Sequence, residues 1–366
     1  MNLEKLYLRS FRNYAEGALE FDPGVNLIVG DNAQGKTNLL EAISYLGSGR
    51  SFRAQKTSEM VRFGDDFAEI EGTVFSQERQ QILRFLLFSG SRPRQIFRNG
   101  AKKKTAADIA GVLPTVLFCP EDLLVLKAGA SQRRRLGDTA LCQLRPNYDA
   151  ALTEYNRILD QKSRILKDHF DRPEVLAVLP EYNTRLCQVG ALLISYRARF
   201  YDSLGKAAAQ YHGQFSGGAE EFRLQYKTVS TVSDPFAPIS TLTEELQNHL
   251  ERHYRAELET AQCLTGPHKD DFTVTLSGID LKAYGSQGQT RTAAISLKLA
   301  QRELMGREWG EEPVLLLDDV LSELDPGRQD FVLNQIVSGQ VFITCCEPGR
   351  FTKLGKTIEI QKGNVI

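Results

Sequence analysis

Apolar and polar residues alternate in short blocks along the first third of the chain, as they do in proteins rich in strands. Between residues 1 and 120, several blocks have the length and composition of strands: LEKLYLRSF, VNLIVG, AEIEGTVF, QILRFLLF, RQIFRNG and TVLFCP. Asn99-Gly100 is a favoured two-residue turn and predicts a hairpin there. One helix is predicted in this region, over TNLLEAISYLG, where apolar residues recur at helical spacing up to a stop at Gly47.

The pattern changes after Pro120. From there to about residue 263 the chain reads mainly as amphipathic helices, over 146–170, 179–212 and 240–263, with a strand and a loop between the last two. Strands and helices alternate again after Gly266, over DFTVTLSG, TRTAAISLKLAQRELMG, VLLL, GRQDFVLNQIVSG and VFIT. This order predicts an α/β core interrupted by a mainly helical lobe, with domains at 1–120, 121–263 and 264–366. The helical runs are too short, and too often broken by Pro or Gly, for a long coiled coil.

Composition and charge narrow the class of protein. Of the 366 residues, 42% are apolar and 25% are charged, as in an ordinary globular protein. No apolar run reaches the ~18 residues of a membrane span, the first residues are too charged for a signal peptide, and six scattered cysteines form no C-x-x-C pair. We therefore expect a cytoplasmic protein with reduced thiols and no membrane partner. The net charge of −1 means that any nucleic-acid binding depends on local patches.

A phosphate-binding loop is predicted directly after VNLIV. The stretch GDNAQGKT matches G-x-x-x-x-G-K-[ST] and lies between a predicted strand and a predicted helix. In that setting backbone N–H groups surround a β-phosphate, the lysine reaches the β- and γ-phosphates, and the threonine hydroxyl binds Mg²⁺. The alternative is a coincidental glycine turn. The predicted nucleotide-contacting residues are Gly30, Asn32, Gly35, Lys36, Thr37 and Asn38.

Two adjacent carboxylates follow the buried run VLLL. Asp318 stands where a strand-end acid holds Mg²⁺ through water, and Asp319 stands where a second acid orients the attacking water as a general base. Two solvated aspartates at a strand end would have the same local sequence, but the phosphate loop in the same chain favours the catalytic interpretation. Lys36 and Asp319 are therefore the predicted catalytic residues, and Thr37 and Asp318 the predicted Mg²⁺ ligands.

A second glycine-containing loop, Ser286-Gln287-Gly288-Gln289, precedes a long helical run. Its hydroxyl and its backbone amides at a helix N-terminus favour a second anion site, whereas the alternative is a polar turn that caps a core helix. One nucleotide cannot use both loops of the same subunit in most P-loop folds. The loop resembles the signature motif of ABC-type ATPases, which caps the γ-phosphate of ATP bound to the partner subunit. LSELD at 321–325 resembles the D-loop of the same group.

The resemblance extends over nearly the whole chain. The segments that together resemble the RecF family, bacterial DNA-repair ATPases of the ABC/SMC-like group, are LYLRSFRNY, GDNAQGKTNLLEAI, SFR at 51–53, FCPEDLLVLKAGASQRRRLGD, TGPHKDDF, YGSQGQTRT and LLLDDVLSELD. GPHKDDF and GSQGQ are more specific to that family than to ABC proteins generally. The resemblance implies an ABC-type P-loop ATPase core with a mixed sheet and helices, and a helical second lobe.

The function implied by the resemblance is that of an ATP-dependent recombination mediator. Such a protein binds duplex DNA and gap junctions without sequence specificity, forms a homodimer around ATP and Mg²⁺, and hydrolyses ATP weakly with stimulation by DNA. The resemblance implies RecR and RecO as partners and RecA indirectly, and it assigns residues 286–289 to ATP held by the partner subunit. The alternatives are another SMC-like or nuclease-associated repair ATPase, or a transporter ATP-binding subunit.

Two positions relate less directly to the ABC pattern. PED takes the place of the glutamine-bearing loop of related ATPases, so Glu121 is a further candidate for a position near Mg²⁺. ABC proteins usually have a switch histidine after the strand that here reads VFIT, but this chain continues with Cys345-Cys346. Thr344 could at most hydrogen-bond the γ-phosphate.

Two basic clusters are candidates for DNA contacts. The first lies around the predicted hairpin, without any acid, and consists of Arg92, Arg94, Arg98, Lys102, Lys103 and Lys104. The second is 133–135. Either cluster could follow a phosphate backbone, or could merely protect an edge strand from aggregation. The two histidines of HLERH, His249 and His253, are not expected to bind zinc because no third ligand is evident.

Overall fold

Strands predominate in the terminal parts of the chain and helices in its middle. The computed structural model describes residues 1–336, 338–346 and 349–365. In these ranges the strands are β1 (Asn2–Phe11), β2 (Tyr14–Glu20), β3 (Val25–Val29), β4 (Phe67–Ser76), β5 (Arg79–Phe88), β6 (Gln95–Arg98), β7 (Ala101–Lys103), β8 (Thr115–Phe118), β9 (Phe222–Lys227), β10 (Asp271–Leu276), β11 (Ile279–Asp280), β12 (Val314–Leu317), β13 (Val341–Cys345), β14 (Lys356–Gln361) and β15 (Asn364–Val365). The α-helices are α1 (Lys36–Ser48), α2 (Ala130–Leu144), α3 (Pro146–Asp168), α4 (Leu179–Ser216), α5 (Ile239–Thr260), α6 (Leu281–Tyr284), α7 (Gln287–Trp309) and α8 (Pro326–Gln335). The helix predicted over 327–339 includes Val337, which lies outside the described residues.

The chain divides into two compact units. The first combines Met1–Leu124 with Ala294–Ile366, and the second is Val125–Ala293. The later division falls well after the predicted domain limit at 263/264. The reason is that β10 pairs with β9 from Phe272↔Tyr226 to Leu276↔Phe222, and so belongs to a sheet of the second unit.

Two six-stranded sheets form the first unit. One is antiparallel, in the order β2-β1-β4-β5-β6-β7. The other has the order β15-β14-β3-β13-β12-β8, in which all strands from β14 to β8 are parallel and β15 is antiparallel to β14. The predicted hairpin turn is confirmed, since β6 and β7 pair next to Asn99 and Gly100, whose φ angles are 51° and 76°.

Helix α1 contacts strands of both sheets. Its apolar side chains are buried around most of its circumference, including Leu39, Ile43 and Leu46. The helix ends at Ser48 and not at Gly47, which corrects the predicted stop: the left-handed cap is Gly49, with a φ of 63°. Gly47 lies within the helix, and a glycine is needed there because a Cβ would come within 2.1 Å of the Leu113 carbonyl oxygen.

The second unit contains the predicted helices α3, α4 and α5, with α2, α6 and a three-stranded antiparallel sheet in the order β11-β10-β9. Helix α4 packs against α3, α5 and β9, so it is the central element of this unit. With 38 residues it is the longest described helix, about 57 Å at 1.5 Å per residue. No described helix combines the length and apolarity needed to cross a membrane.

Candidate active site

The parallel strands of the first unit end at one edge of their sheet, and a residue of chemical interest follows each of four strand ends. β3, β13, β12 and β8 are neighbours in that order. The loops after these strands contain Gly30, Cys346, Asp318 and Glu121, respectively. Ligands of open parallel sheets bind at this edge. The fold therefore brings together motifs from the two ends of the chain.

The loop between β3 and α1 is held by the turn between β1 and β2. Gly35 has a φ of 115°, and a Cβ at this position would lie 2.7 Å from Nδ2 of Asn13. Asn13 donates to the carbonyl of Gln34 over 2.9 Å, and the Tyr14 hydroxyl donates to the carbonyl of Gly35 over 3.0 Å. These contacts shape the loop without the help of a ligand.

The C-terminal hairpin β14–β15 holds the same loop. The amide of Gly363 donates to the Gln34 carbonyl over 2.9 Å, and the amide of Lys362 donates to Oε1 of Gln34 over 2.6 Å. Since β14 pairs in parallel with β3, the turn after β14 reaches the loop that follows β3. One loop residue is thus bound through both its backbone and its side chain to the C-terminal hairpin.

Lys36 lies inside the loop with 7% of its surface exposed. Its ammonium donates to the carbonyls of Gly30 over 2.5 Å and Asp31 over 3.0 Å, and it lies 3.4 Å from the sulfur of Cys346. The Cys346 thiol donates to Oδ1 of Asn32 over 3.1 Å. These partners of the ammonium are neutral, so its positive charge stays available for an anionic ligand.

Two hydroxyl groups meet on one oxygen of Asp318. Thr37 donates to Oδ1 of Asp318 over 2.9 Å, and Thr344 donates to the same oxygen over 3.0 Å. The Thr344 hydroxyl also accepts the amide proton of Asp319 over 2.8 Å. Burial raises the pKa of Asp318, and the two hydroxyl donors oppose that rise. Thr344 therefore links the two aspartates through hydrogen bonds, a role that the sequence did not predict.

This arrangement fits a nucleotide that carries Mg²⁺. The ion prefers oxygen ligands, and the Thr37 hydroxyl and the Asp318 carboxylate are oxygens held 2.9 Å apart. Asp318 is 6% exposed, and the hydrogen bonds to its carboxylate from described residues come from neutral hydroxyls. A cation at this position would stabilise the buried negative charge. Asp319 has a φ of 54°, uncommon outside glycine and frequent at functional sites.

A buried acid of α1 holds the segments around the loop. Glu41 is fully buried and accepts two hydrogen bonds from the Arg12 guanidinium, over 2.9 and 2.8 Å, and another from the Ser51 hydroxyl. Nearby, Asn38 donates to Oδ1 of Asn13 over 2.8 Å. The roles of Arg12, Asn13 and Glu41 depend on these tertiary contacts and are not predicted from the sequence. The detectable signal was a glutamate on the otherwise apolar helix LLEAISYL.

Glu121 follows β8 at the same sheet edge but is exposed. Its carboxylate contacts the thiol of Cys119. The neighbouring Asp122 is better anchored, with the Lys298 ammonium 3.0 Å from Oδ1 and the amide of Cys119 donating to Oδ2 over 3.0 Å. Of the two acids, Asp122 therefore stabilises the turn, and a metal-binding role of Glu121 stays a prediction.

The signature loop belongs to the second unit. Ser286 and Gln289 form a reciprocal cap at the start of α7: the Gln289 amide donates to Oγ of Ser286 over 3.2 Å, and the Ser286 amide donates to Oε1 of Gln289 over 3.1 Å. The Ser286 hydroxyl accepts in this cap, so its own proton remains available for donation to an anion.

Comparison with known proteins identifies the family. The family model described as "RecF/RecN/SMC N terminal domain" matches residues 2–365. The DNA replication and repair protein RecF of Agathobacter rectalis is 37% identical over 370 residues, 100% of this chain and 99% of the relative. The RecF of Bacillus subtilis is 38% identical over 346 residues, 94% of this chain and 93% of the relative. The chain belongs to the RecF family.

Solved structures agree with this assignment. A structure described as the recombination mediator protein RecF-ATPrS in the RecFOR pathway has a TM-score of 0.91 and 34% identity, over 100% of this chain and 97% of that one. An SMC head bound to the C-terminal winged helix domain of ScpA has a TM-score of 0.57 and 17% identity, over 100% of this chain and 97% of that one, and supports the fold alone. The predicted family and the ABC-type fold class are thereby confirmed.

In this RecF-family chain, the basic hairpin residues differ in their surroundings. The Arg94 guanidinium donates to the Tyr45 hydroxyl over 2.8 Å and to the Gly49 carbonyl, and Nε of Arg98 donates to Oε1 of Gln81 over 2.9 Å. These two arginines hold the hairpin to the rest of the unit. Of the other four cations, Arg92, Lys102 and Lys104 are exposed and Lys103 is half-buried.

The second basic cluster is partly internal. Arg133 is 1% exposed and forms a bidentate pair with Asp271, over 2.6 and 2.7 Å. Because its guanidinium is buried and paired, it cannot contact DNA. Asp270, its neighbour in the family segment GPHKDDF, is fully buried and lies 2.9 Å from the Arg197 guanidinium. The two acids of this segment are thus ion-pair partners within the second unit.

The two histidines of HLERH make their described hydrogen bonds within the second unit. Nδ1 of His249 is 2.8 Å from the Thr265 hydroxyl, and Nδ1 of His253 is 2.8 Å from the His249 carbonyl. Among the described residues, no group of three or more His, Cys, Asp or Glu side chains could hold a metal ion.

Proposed function

We propose that this chain is an ATP-dependent DNA-binding recombination mediator that forms a homodimer around ATP. The observation that carries the proposal is the contact of Thr37 with Asp318 beside the buried ammonium of Lys36. An oxygen pair next to a positive charge in a glycine loop is the arrangement that binds a metal-bound triphosphate. The names of the relatives, DNA replication and repair protein and recombination mediator, support the same function.

Four side chains of the first unit have defined roles in this proposal. Lys36 and the loop amides bind the β- and γ-phosphates, and Thr37 and Asp318 hold Mg²⁺. The ion, when bound, neutralises charge on the phosphates. Asp319 orients the attacking water and accepts its proton. Two features make hydrolysis slow in this proposal. The second acid is an aspartate, which is shorter than a glutamate, and the site has to be completed by a partner subunit.

The partner subunit supplies the second half of the site. We propose that Ser286, with the adjacent Gln287, Gly288 and Gln289, contacts the γ-phosphate of ATP held by the other copy. The free proton of the Ser286 hydroxyl and the amides at the start of α7 suit an anion. ATP thereby links the two copies, and hydrolysis separates them.

DNA binding is proposed for the solvent-facing cations of the hairpin. Lys102 and Lys104 are exposed, and Arg92 lies with its guanidinium 4.1 Å from the ring centre of Phe88, which steadies it at the surface. Contacts of this kind are made to phosphates and carry no base-sequence specificity. In the cytoplasm, the dimer would bind duplex DNA at gap junctions and act with RecO and RecR in loading RecA.

Sedimentation and ATP turnover test this proposal together. The chain is measured with and without ATP and Mg²⁺, alone and with a gapped duplex, an intact duplex or a single strand of the same length. We expect ATP to produce a dimer and the gapped duplex to raise turnover most, with Lys36→Ala as the control that shows neither effect. An absence of ATP-dependent dimers contradicts the shared site. If ATP produces dimers but none of the DNA substrates changes their turnover, the DNA-linked function is contradicted and the shared site is retained.

A further inference from the structure

Gln289 of the signature loop is held by an acid that lies far from it in sequence. Its side chain uses Oε1 for the cap on the Ser286 amide, and its Nε2 donates to Oε1 of Glu220 over 2.7 Å. The contact spans 69 sequence positions within the second unit. The bond to Gln289 is the first cause of a lowered pKa of Glu220, so the acceptor is a carboxylate and the hydrogen bond is charge-assisted.

The end of α4 delivers Glu220 to this position. The helix stops at Gly217, whose φ is 61°, and Gly218 follows with a φ of 79°. The Gly218 amide donates to the Gly213 carbonyl over 2.9 Å, which closes the last turn of the helix. These two consecutive left-handed residues reverse the chain, and Glu220 lies four positions after Ser216, the last residue of the helix.

A buried histidine on the last turns of α4 fixes the other oxygen of this carboxylate. Nε2 of His212 lies 2.9 Å from Oε2 of Glu220, and the His212 side chain is fully buried. Its ring packs against Phe222, with 5.5 Å between the ring centres. Glu220 therefore cannot turn away from Gln289 without losing a hydrogen bond on a buried group, which is costly.

We infer that Glu220 is a positioning residue of the signature loop: through Gln289 it fixes the cap that aims the Ser286 hydroxyl, and through His212 it ties that cap to α4. The inference rests on the proposed function for its consequence, since a displaced Ser286 matters only if it contacts ATP of the partner. The contacts of Glu220 with Gln289 and His212 are present whatever the loop binds. The loop is held by Glu220 before any nucleotide arrives.

Three variants and one control separate this role from a general effect on folding. Glu220→Ala removes the carboxylate, and Glu220→Gln keeps an oxygen that can accept from Gln289. Gln289→Ala removes the other partner. Glu221→Ala is the matched control, because the adjacent Glu221 is an exposed acid paired with the exposed Arg223 over 2.7 Å.

The first readout is hydrogen exchange of residues 285–291 in the nucleotide-free protein. Loss of a charge-assisted hydrogen bond of about 1.5–3 kcal/mol predicts roughly tenfold or faster exchange in Glu220→Ala and Gln289→Ala. We expect Glu220→Gln to stay within about threefold of wild type, and Glu221→Ala to be unchanged. If Glu220→Ala unfolds, Gln289→Ala, which removes the other partner of the same hydrogen bond, gives the same test. Equal exchange in the alanine variants and the control overturns the inference.

The second readout is the ATP-dependent dimer. We expect the dimer of Glu220→Ala to dissociate about tenfold more readily, while the affinity of the monomer for ATP changes less than about twofold because the phosphate loop is untouched. A double variant with Gln289→Ala should be no weaker than the worse single variant. Fast exchange with an unweakened dimer would retain the positioning contact and contradict the trans role of Ser286, so the two failures are distinguishable.

Discussion

The hydroxyl of Thr344 donates to Oδ1 of Asp318 over 3.0 Å, on the same oxygen that receives the hydroxyl of Thr37. Thr344→Val keeps the shape of the side chain but leaves the Asp319 amide without its acceptor. An unsatisfied buried group costs about 1–3 kcal/mol, so we expect ATP turnover to fall about tenfold with ATP binding retained. Thr344→Ser should restore most of the rate. Thr352→Val, on an exposed hydroxyl, is the control, and equal rates in both valine variants would contradict the role.

Asp319→Asn tests the proposed general base. An amide cannot accept the proton of the attacking water, so hydrolysis should fall by a factor of about 10²–10⁴. The backbone bond from Asp319 to Thr344 is unaffected, and ATP binding should remain. If hydrolysis separates the dimer as proposed, the Asp319→Asn dimer should accumulate, which sedimentation with ATP and Mg²⁺ would detect. A variant that no longer binds ATP would show that Asp319 has a different role.

A mixture of two inactive variants tests the shared site. Lys36→Ala disables one phosphate loop and Ser286→Arg disables one signature loop. A mixed dimer contains one composite site in which both partners are intact, so part of the ATPase activity should return on mixing. Each variant alone is the control. Full activity of Ser286→Arg by itself, or no recovery in a mixture shown to contain mixed dimers, would argue against a site formed by two copies.

The hairpin cations should separate into two classes on substitution. Lys102→Ala and Lys104→Ala change exposed residues. Each lost phosphate contact should make the negative slope of log affinity against log salt shallower by about 0.9. Their unfolding temperature should match wild type. Arg94→Ala should lower that temperature, because its guanidinium bonds the Tyr45 hydroxyl and the Gly49 carbonyl. If the double lysine variant keeps the DNA affinity and the salt slope of wild type, these two lysines do not contact DNA and the DNA-binding surface lies elsewhere.

His268 should make the second unit sensitive to acid. Burial lowers its pKa to about 4, although its bond to the Cys263 carbonyl opposes the shift, and the cations Lys269, Arg134 and Lys162 lower it further. Nδ1 lies 2.7 Å from the Tyr155 hydroxyl and Nε2 lies 3.0 Å from the Cys263 carbonyl, the pattern of a neutral ring.

The sign follows from proton binding. Below the usual pKa of about 6.5 the unfolded chain binds a proton that the folded chain excludes, so stability falls as the pH drops from about 6.5 to about 4, by about 3 kcal/mol in full. We expect His268→Gln to lose less stability than wild type between pH 7 and pH 5 in urea unfolding. His253→Gln is the control, and a wild-type-like slope in His268→Gln would exclude this residue as the cause.

The sequence was sufficient wherever one local stretch determined the local structure. GDNAQGKT contains the glycines, the lysine and the threonine of the loop, and Asn99-Gly100 specifies its own turn. It was insufficient where a tertiary partner decides. Gly47 has the same local signal as a helix stop, and only the Leu113 carbonyl shows that it serves close packing.

Basic residues show the same limit. Arg133 and its neighbours are one run of like charges in sequence, yet Asp271, 138 positions away, neutralises Arg133 in the interior. Glu220 was overlooked for a related reason: nothing near it in sequence identifies Gln289 as its partner. A charge pattern gives the number of cations, and the fold decides which of them face a ligand.

The contact of Gln34 with Lys362 and Gly363 has a consequence for the order in which the protein is made. Lys362 follows Gln34 by 328 positions, so the backbone that closes over the phosphate loop leaves the ribosome long after the loop itself. Contacts so distant in sequence form late because a long loop must be closed first. A nascent chain therefore carries an unfinished phosphate loop until β14 and β15 have been made, and we expect it to bind a nucleotide tightly only once that hairpin is in place.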